Sequence, residues 1–239
     1  MELYPAVDVQ GGRVAHVRGG NAPIPSVYGD DPMAVVQRLA VEGARWAHLV
    51  DLDRAFETGS NRDLVRAVLG ASPLRVQVGG SLRTEEAIDE ALAWGAARVV
   101  IGCAAAATTP DLVARLVRRH GPERLAVAID ATDGRVTPRG APLSDPVNLS
   151  MLELAQRVRM AGIRCVIYTD VCRDGRLAGA DVAGAATLAG AGLDVVAGGG
   201  IAHLDDLRAV RSAGLAGALV GRALHEGRFT LADALTCAD

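Results

Sequence analysis

Eight short apolar runs, set apart by longer polar and amphipathic stretches, constrain the fold more than any other feature of this 239-residue chain. They span residues 3–9, 46–52, 74–78, 98–101, 125–130, 165–169, 193–197 and 216–220. Each is continuous in apolar residues instead of alternating, the pattern of strands buried on both faces of a parallel sheet. Stretches at 32–42, 84–94, 111–120, 149–161 and 204–213 carry apolar residues at helical spacing. Eight strand–helix units without a leftover segment predict an α/β fold, a closed (β/α)8 (TIM) barrel. An open doubly wound sheet is the alternative; eight units in 239 residues favour closure.

An internal repeat supports the barrel. Val76-Gln-Val-Gly-Gly-Ser-Leu aligns with Val195-Val-Ala-Gly-Gly-Gly-Ile at an offset of 119 residues. The same offset pairs Asp51 with Asp170, Gly95 with Gly214, and Gly102 with Gly221, while Asp8 meets Asp130 at 122. One domain of two fused four-unit halves is expected, roughly 1–120 and 121–239, with a pseudo-twofold axis along the barrel.

Composition narrows the chemistry. All 25 basic residues are Arg, so no lysine Schiff base and no P-loop lysine is possible. A net charge of −3 gives no basic footprint for nucleic acid. Cys103, Cys165, Cys172 and Cys237 form no C-x2-C pair, and the five histidines make no metal-ligand spacing with a carboxylate, so neither metal nor cofactor is expected. No apolar run is long enough to span a membrane, and the first residues do not read as a signal peptide. The expectation is a cytoplasmic monomer acting on a small molecule.

In such barrels the C-terminal ends of the strands form the active face. Asp8 closes the first run and Asp130 the fifth; Asp51 and Asp53 follow the second; Thr169, Asp170 and Asp174 follow the sixth. One carboxylate at a strand end reads as a turn cap, but several converging from both halves can divide acid and base roles. The Gly79-Gly80-Ser81 turn follows the third run and Gly198-Gly199-Gly200 the seventh; Gly102 follows the fourth and Gly221-Arg222 the eighth. Glycine lets backbone N–H groups approach an anion, and a helix N-terminus adds a favourable dipole. The repeat therefore predicts two phosphate sites on opposite sides of the mouth, fitting a ligand with a phosphate at each end.

Two long loops complete the predicted rim. The first, at 10–31, contains His16 and Arg18 and is expected to act as a lid. The second, at 131–147, carries Arg135 and Arg139; Arg139 is a candidate partner for a phosphate or carboxylate. Of the histidines, His16 alone has a loop position suited to substrate, and His48 reads as a core residue.

These residues together resemble a known family. Tyr4-Pro-Ala-Val-Asp-Val, Val27-Tyr-Gly-Asp-Asp-Pro, His48-Leu-Val-Asp-Leu-Asp, Val76-Gln-Val-Gly-Gly, Val100-Ile-Gly, Tyr168-Thr-Asp-Val-Cys-Arg-Asp-Gly and Val220-Gly-Arg-Ala-Leu are similar to motifs of the phosphoribosyl isomerase of histidine biosynthesis. They are also similar to those of its actinobacterial bifunctional relatives, which additionally isomerise phosphoribosyl anthranilate. The resemblance implies an Amadori rearrangement of an aminoaldose bearing two phosphates. It implies Asp8 as the base that removes the C2′ proton and Asp174 as the acid that opens the ribose ring. Asp130 and Thr169 would orient the substrate. The chain departs from the family pattern at His16 (usually Arg), Ala141 (usually Trp), Arg176 (usually Thr) and Ser81 (usually Gly). A histidine-pathway isomerase, an anthranilate-type or bifunctional isomerase, and a weakly active phosphosugar-binding paralogue all remain open.

Overall fold

The computed structural model describes residues 1–16, 26–140 and 147–239; the side chains of His16 and Ser26 lie outside that description. The strands are β1 (Glu2–Gln10), β2 (Arg13–His16), β3 (Ser26–Gly29), β4 (Trp46–Asp51), β5 (Arg75–Gly79), β6 (Arg98–Ile101), β7 (Leu125–Thr132), β8 (Arg135–Val136), β9 (Cys165–Asp170), β10 (Asp194–Gly198) and β11 (Gly217–Val220). The helices are α1 (Pro32–Val41), α2 (Leu52–Ala55), α3 (Arg62–Ala71), α4 (Glu85–Ala93), α5 (Cys103–Thr108), α6 (Pro110–His120), α7 (Met151–Met160), α8 (Val182–Gly190), α9 (Leu204–Ser212), α10 (Arg222–His225) and α11 (Leu231–Ala238).

Eight parallel strands run in the order β1, β4, β5, β6, β7, β9, β10, β11, and β11 pairs back to β1 to close the barrel. The eight apolar runs are these eight strands, each within one or two residues of its expected ends. Closure is what makes the runs continuous: one face of every strand meets the helices and the other fills the barrel. Val7, Leu49, Val99 and Ile129 face outward and are fully buried under the helices. Each contributes roughly 1.5–3 kcal/mol of apolar burial. Tyr4, Trp46, Val100, Ala126, Cys165, Ile167 and Val196 form a second, smaller core inside the barrel.

The floor of that inner core is polar at one point. Arg98, opening β6, sits over the Trp46 ring with its guanidinium 4.9 Å from the centroid. It donates to the Tyr4 hydroxyl at 3.3 Å and to the Glu123 carbonyl at 3.3 Å. The ring face and the acceptors compensate for taking the charge out of water.

Both long loops contain short strands among their described residues. β2 and β3 pair antiparallel with each other, and β2 pairs with β1, so the first loop begins and ends as a ladder. β8 likewise pairs antiparallel with the end of β7. The middle of the expected lid, residues 17–25, lies outside the described residues, as do residues 141–146. Among the described residues no helix is long and apolar enough to cross a membrane.

Candidate active site

Inward-facing residues recur every second position along the barrel strands and end in a cavity of about 210 Å³ at their C-terminal ends. Ala6 and Asp8 reach it from β1, Ala128 and Asp130 from β7, and Ile167 and Thr169 from β9. Asp174 joins them from the turn after β9. The two carboxylates assigned acid–base roles and their two supporting residues therefore line one chamber.

Arg139 organises the carboxylates. Its Nη1 donates to Asp174 Oδ2 at 2.5 Å, and its Nη2 lies 2.8 Å from Asp130 Oδ1. The loop after β8 brings it there: Gly140 has φ +99°, and a Cβ at that position would lie 2.4 Å from the Ala55 carbonyl oxygen. The chain thus passes flush against the opposite rim, which only glycine allows. Burial raises the Asp130 pKa, opposed by Arg139 and reinforced by Asp174. Loss of hydration works against the Arg139 charge, but Asp130, Asp174 and Asp8 together hold its pKa above the usual value. The neighbouring Cys103 thiol is pushed up to about 12 by burial and by Asp130, so it is no nucleophile.

The glycine turns take up the ends of the chamber. Gly79, Gly80 and Ser81 line it with Gly102, the N-cap of α5; Gly199 and Gly200 line it with Gly221, the N-cap of α10. Neither N-cap supplies a side-chain hydrogen bond, so the first amides of both helices keep their donors for something else. A Cβ at Gly102 would meet nothing within 4 Å, so that glycine is not required by protein packing. Ser81 has φ +53°, a left-handed conformation costly for serine, and its repeat partner is Gly200 at φ +92°. Arg222 lines the chamber, but its guanidinium is engaged with Glu226 at 2.6 Å and the Gly175 carbonyl at 2.6 Å. Its backbone, more than its side chain, is placed for an anion.

Three carboxylates of the expected rim cluster do something else. Asp51 accepts from Arg54 N–H at 3.1 Å and Asn61 N–H at 2.8 Å, fixing the turn into α2. Asp53 accepts from Gly11 N–H at 2.6 Å and ties the β1–β2 turn to the rim. Asp170 accepts from Cys172 N–H at 2.8 Å and pairs with Arg173 at 3.3 Å. They hold the rim's backbone and stand outside the chamber. The expected contacts of His16 and of Ala141 fall outside the described residues.

His48, read from the sequence as a satisfied core residue, is buried and hydrogen-bonded to Gln77, and it also lines the chamber. It sits two residues before Val50 on the inward parity of β4 and pairs in register with Ala6. That period of two was the signal in the sequence; the surrounding apolar residues masked it. Burial, only partly opposed by Asp8 and aided by Arg139, lowers its pKa to about 4, so the ring is neutral near pH 7. Arg83 also borders the chamber and pairs with Glu57 at 3.2 Å. Among the described residues no group of three or more His, Cys, Asp or Glu is placed to hold a metal ion.

A (β/α)8 barrel with three carboxylates around one arginine, between two glycine turns, is the scaffold of an acid–base enzyme for an anionic ligand. The comparisons agree on the family. The histidine biosynthesis protein family matches residues 2–230, and the chain belongs to it. A protein of Symbiobacterium thermophilum, named 1-(5-phosphoribosyl)-5-((5-phosphoribosylamino)methylideneamino)imidazole-4-carboxamide isomerase, is 43% identical over 243 residues, covering 99% of this chain and 96% of its own. Proteins of the same name from Geobacillus thermodenitrificans and Thermus thermophilus are 41% and 42% identical, each over 98% of this chain and 96% and 98% of their own.

Proposed function

We propose that this protein is an intramolecular aldose–ketose isomerase that performs the Amadori rearrangement of the two-phosphate ribonucleotide named for its relatives, a step of histidine biosynthesis. The observation that carries the reading is the convergence of Asp8, Asp130, Asp174 and Thr169 on one chamber whose ends are glycine turns. Asp174 gives a proton to the ribose ring oxygen as the bond to C1′ opens. Asp8 takes the proton from C2′. Asp130 and Thr169 orient the opened sugar, and Arg139 links Asp130 and Asp174 across the chamber. Phosphates would lie at Gly79–Ser81 with the start of α5, and at Gly199–Gly200 with the start of α10. His16 is assigned a substrate contact at the first loop. The chain is read as one domain of two halves, roughly 1–120 and 121–239, working as a cytoplasmic monomer without nucleic acid or membrane.

The anthranilate reaction is expected to be weak or absent. Its substrate has one phosphate, so another group must hold the carboxylate end, and this chain has His16 and Ala141 where bifunctional relatives carry Arg and Trp. Losing an aromatic stack forfeits about 0.5–1.5 kcal/mol. A substrate anchored at both ends tolerates that loss better. Purified protein assayed with both substrates tests the reading. Turnover of the two-phosphate substrate at a much higher kcat/KM supports it; comparable values argue for a bifunctional enzyme. Binding without turnover of either substrate makes the chain a phosphosugar-binding paralogue.

A further inference from the structure

A row of side chains descends from the chamber to the barrel floor. His48, Gln77 and Arg98 are register partners across β4, β5 and β6. Gln77 is fully buried, an uncommon place for a glutamine in an apolar core. Arg98 Nη1 donates to Gln77 Oε1 at 3.3 Å, and Gln77 Nε2 lies 3.0 Å from His48 Nδ1.

The donor and acceptor inventory orients the whole row. A guanidinium only donates, so the Gln77 carbonyl must face Arg98. The Gln77 amide therefore faces His48, and an amide nitrogen only donates, so His48 Nδ1 is the acceptor. The ring proton is then on Nε2, the nitrogen directed away from Gln77, in a ring that borders the same chamber as Asp8. Reversing the Gln77 amide would set donor against donor at Arg98 and leave its oxygen facing Nδ1.

We propose that His48 is a catalytic residue, a neutral donor whose Nε2–H binds the substrate oxygen at C2′, and that Gln77 and Arg98 are positioning residues that fix its tautomer. The inference rests on the isomerase reading. Over the whole reaction C2′ and O2′ each give up a hydrogen, and C1′ and the ribose ring oxygen each gain one. O2′ thus changes from hydroxyl to carbonyl beside the base, and a fixed donor stabilises it as charge gathers there. A neutral ring suits this task. An imidazolium would pair with Asp8 and weaken the base. Burial holds the His48 pKa near 4, so the ring stays neutral beside that carboxylate. His48 neither gives nor takes a proton overall.

The test begins with 15N-histidine NMR on the wild-type protein near pH 7. The expected pattern for His48 is an unprotonated Nδ1 and a protonated Nε2; a proton on Nδ1, or an imidazolium, overturns the inference. Gln77→Glu places an acceptor opposite Nδ1, which should move the proton there and lower kcat about 10²–10³-fold with little change in KM, the loss typical of one removed transition-state donor. His48→Leu should show a similar fall, and His48→Gln, which retains an N–H donor, should recover part of it. Thermal melts identify any variant that fails to fold, and the wild-type NMR result stands without them. Normal kcat in a folded His48→Leu overturns the donor role while leaving the isomerase reading intact. Absence of wild-type turnover overturns both.

Discussion

Gly102 and Gly200 look alike in sequence, but the structure separates what each is for. At Gly102, φ is −66° and ψ 149°, open to any residue, and an added Cβ meets nothing within 4 Å. Alanine is a poorer N-cap than glycine by about 0.5–1 kcal/mol, while the stiffer unfolded chain returns about 0.4–1 kcal/mol. Gly102→Ala should therefore leave Tm within about 2 °C of wild type. At Gly200, φ is +92°, and a Cβ would lie 2.4 Å from the Gly179 carbonyl oxygen and 3.1 Å from Arg173 Cβ. The left-handed backbone costs about 1–2 kcal/mol and the overlap roughly another 1–3 kcal/mol. At about 2–4 °C per kcal/mol for a chain of this size, Gly200→Ala should lower Tm by about 5–15 °C. A Gly102 methyl would enter the open space beside the start of α5, where a phosphate is proposed to bind. KM should rise at least about tenfold, the equivalent of roughly 1.4 kcal/mol of lost binding. Thermal melts and steady-state kinetics on the two variants decide the matter. A Gly102→Ala protein with wild-type KM would refute the anion site at α5, and one that melts as early as Gly200→Ala would refute the claim that packing leaves this position free.

Three further outcomes are expected. Asp8→Asn and Asp174→Asn should each lower kcat about 10²–10⁴-fold in a folded protein; a loss under about tenfold at both, by direct assay and circular dichroism, removes the acid–base assignment. His48 has a folded pKa of about 4, below the 6.5 of free imidazole, so its neutral burial favours the fold above pH 6.5 and that advantage is lost as pH falls toward 4. At about 1.4 kcal/mol per pH unit the loss comes to about 3 kcal/mol; urea melts at pH 7 and pH 4 should show it in wild type and not in His48→Asn, and equal losses in both would contradict it. Arg139→Met removes the charge that opposes the upward shift of Asp130, so the acid limb of the kcat/KM profile should move to higher pH; an unmoved limb would show that the ionisation of Asp130 does not govern the rate.

The barrel was legible in the sequence because burial on both faces leaves a mark that survives in short runs. Edges were harder. β2 has four residues and β8 has two, too short for a period of two to stand out in loops rich in Gly and Pro. The site was half legible. Strand ends located the carboxylates, but parity decided which of them enter the chamber. On β4 the inward positions are Trp46, His48 and Val50, so Asp51 turns outward to cap α2. On β9 the inward positions are Ile167 and Thr169, so Asp170 turns outward into its own turn. Parity counted from Asp8 and Ala6 separates the two kinds of carboxylate, and the same count brings His48 inward. The engagement of Arg139 with two carboxylates could not be read from sequence, because it depends on how Gly140 folds its loop against Ala55.

The proposed duplication accounts for which features come in pairs and which do not. A Cβ at Gly80 would lie 2.6 Å from the Asp51 carbonyl oxygen, and one at Gly199 would lie 3.1 Å from that of Asp170. In each half the glycine turn thus rests on the backbone of an aspartate that caps the neighbouring turn, and in each half the helix after the following strand opens on an uncapped glycine. These are the elements that would hold phosphates, and a ligand with a phosphate at each end needs two of them. The chemistry needs only one ribose to react. Accordingly the offset of 119 that carries Asp51 onto Asp170 carries Asp174 onto Ala55, which faces the chamber without a titratable group. Arg139 likewise has no arginine counterpart at the offset of 122 that carries Asp8 onto Asp130, where the chain has Val17. On the proposed assignment, a paired cradle with one acid and one clamp would fix which end of the substrate is opened. In the proposed mechanism Asp8, whose counterpart is Asp130, serves as the base because the acid, Asp174, comes from the second half alone.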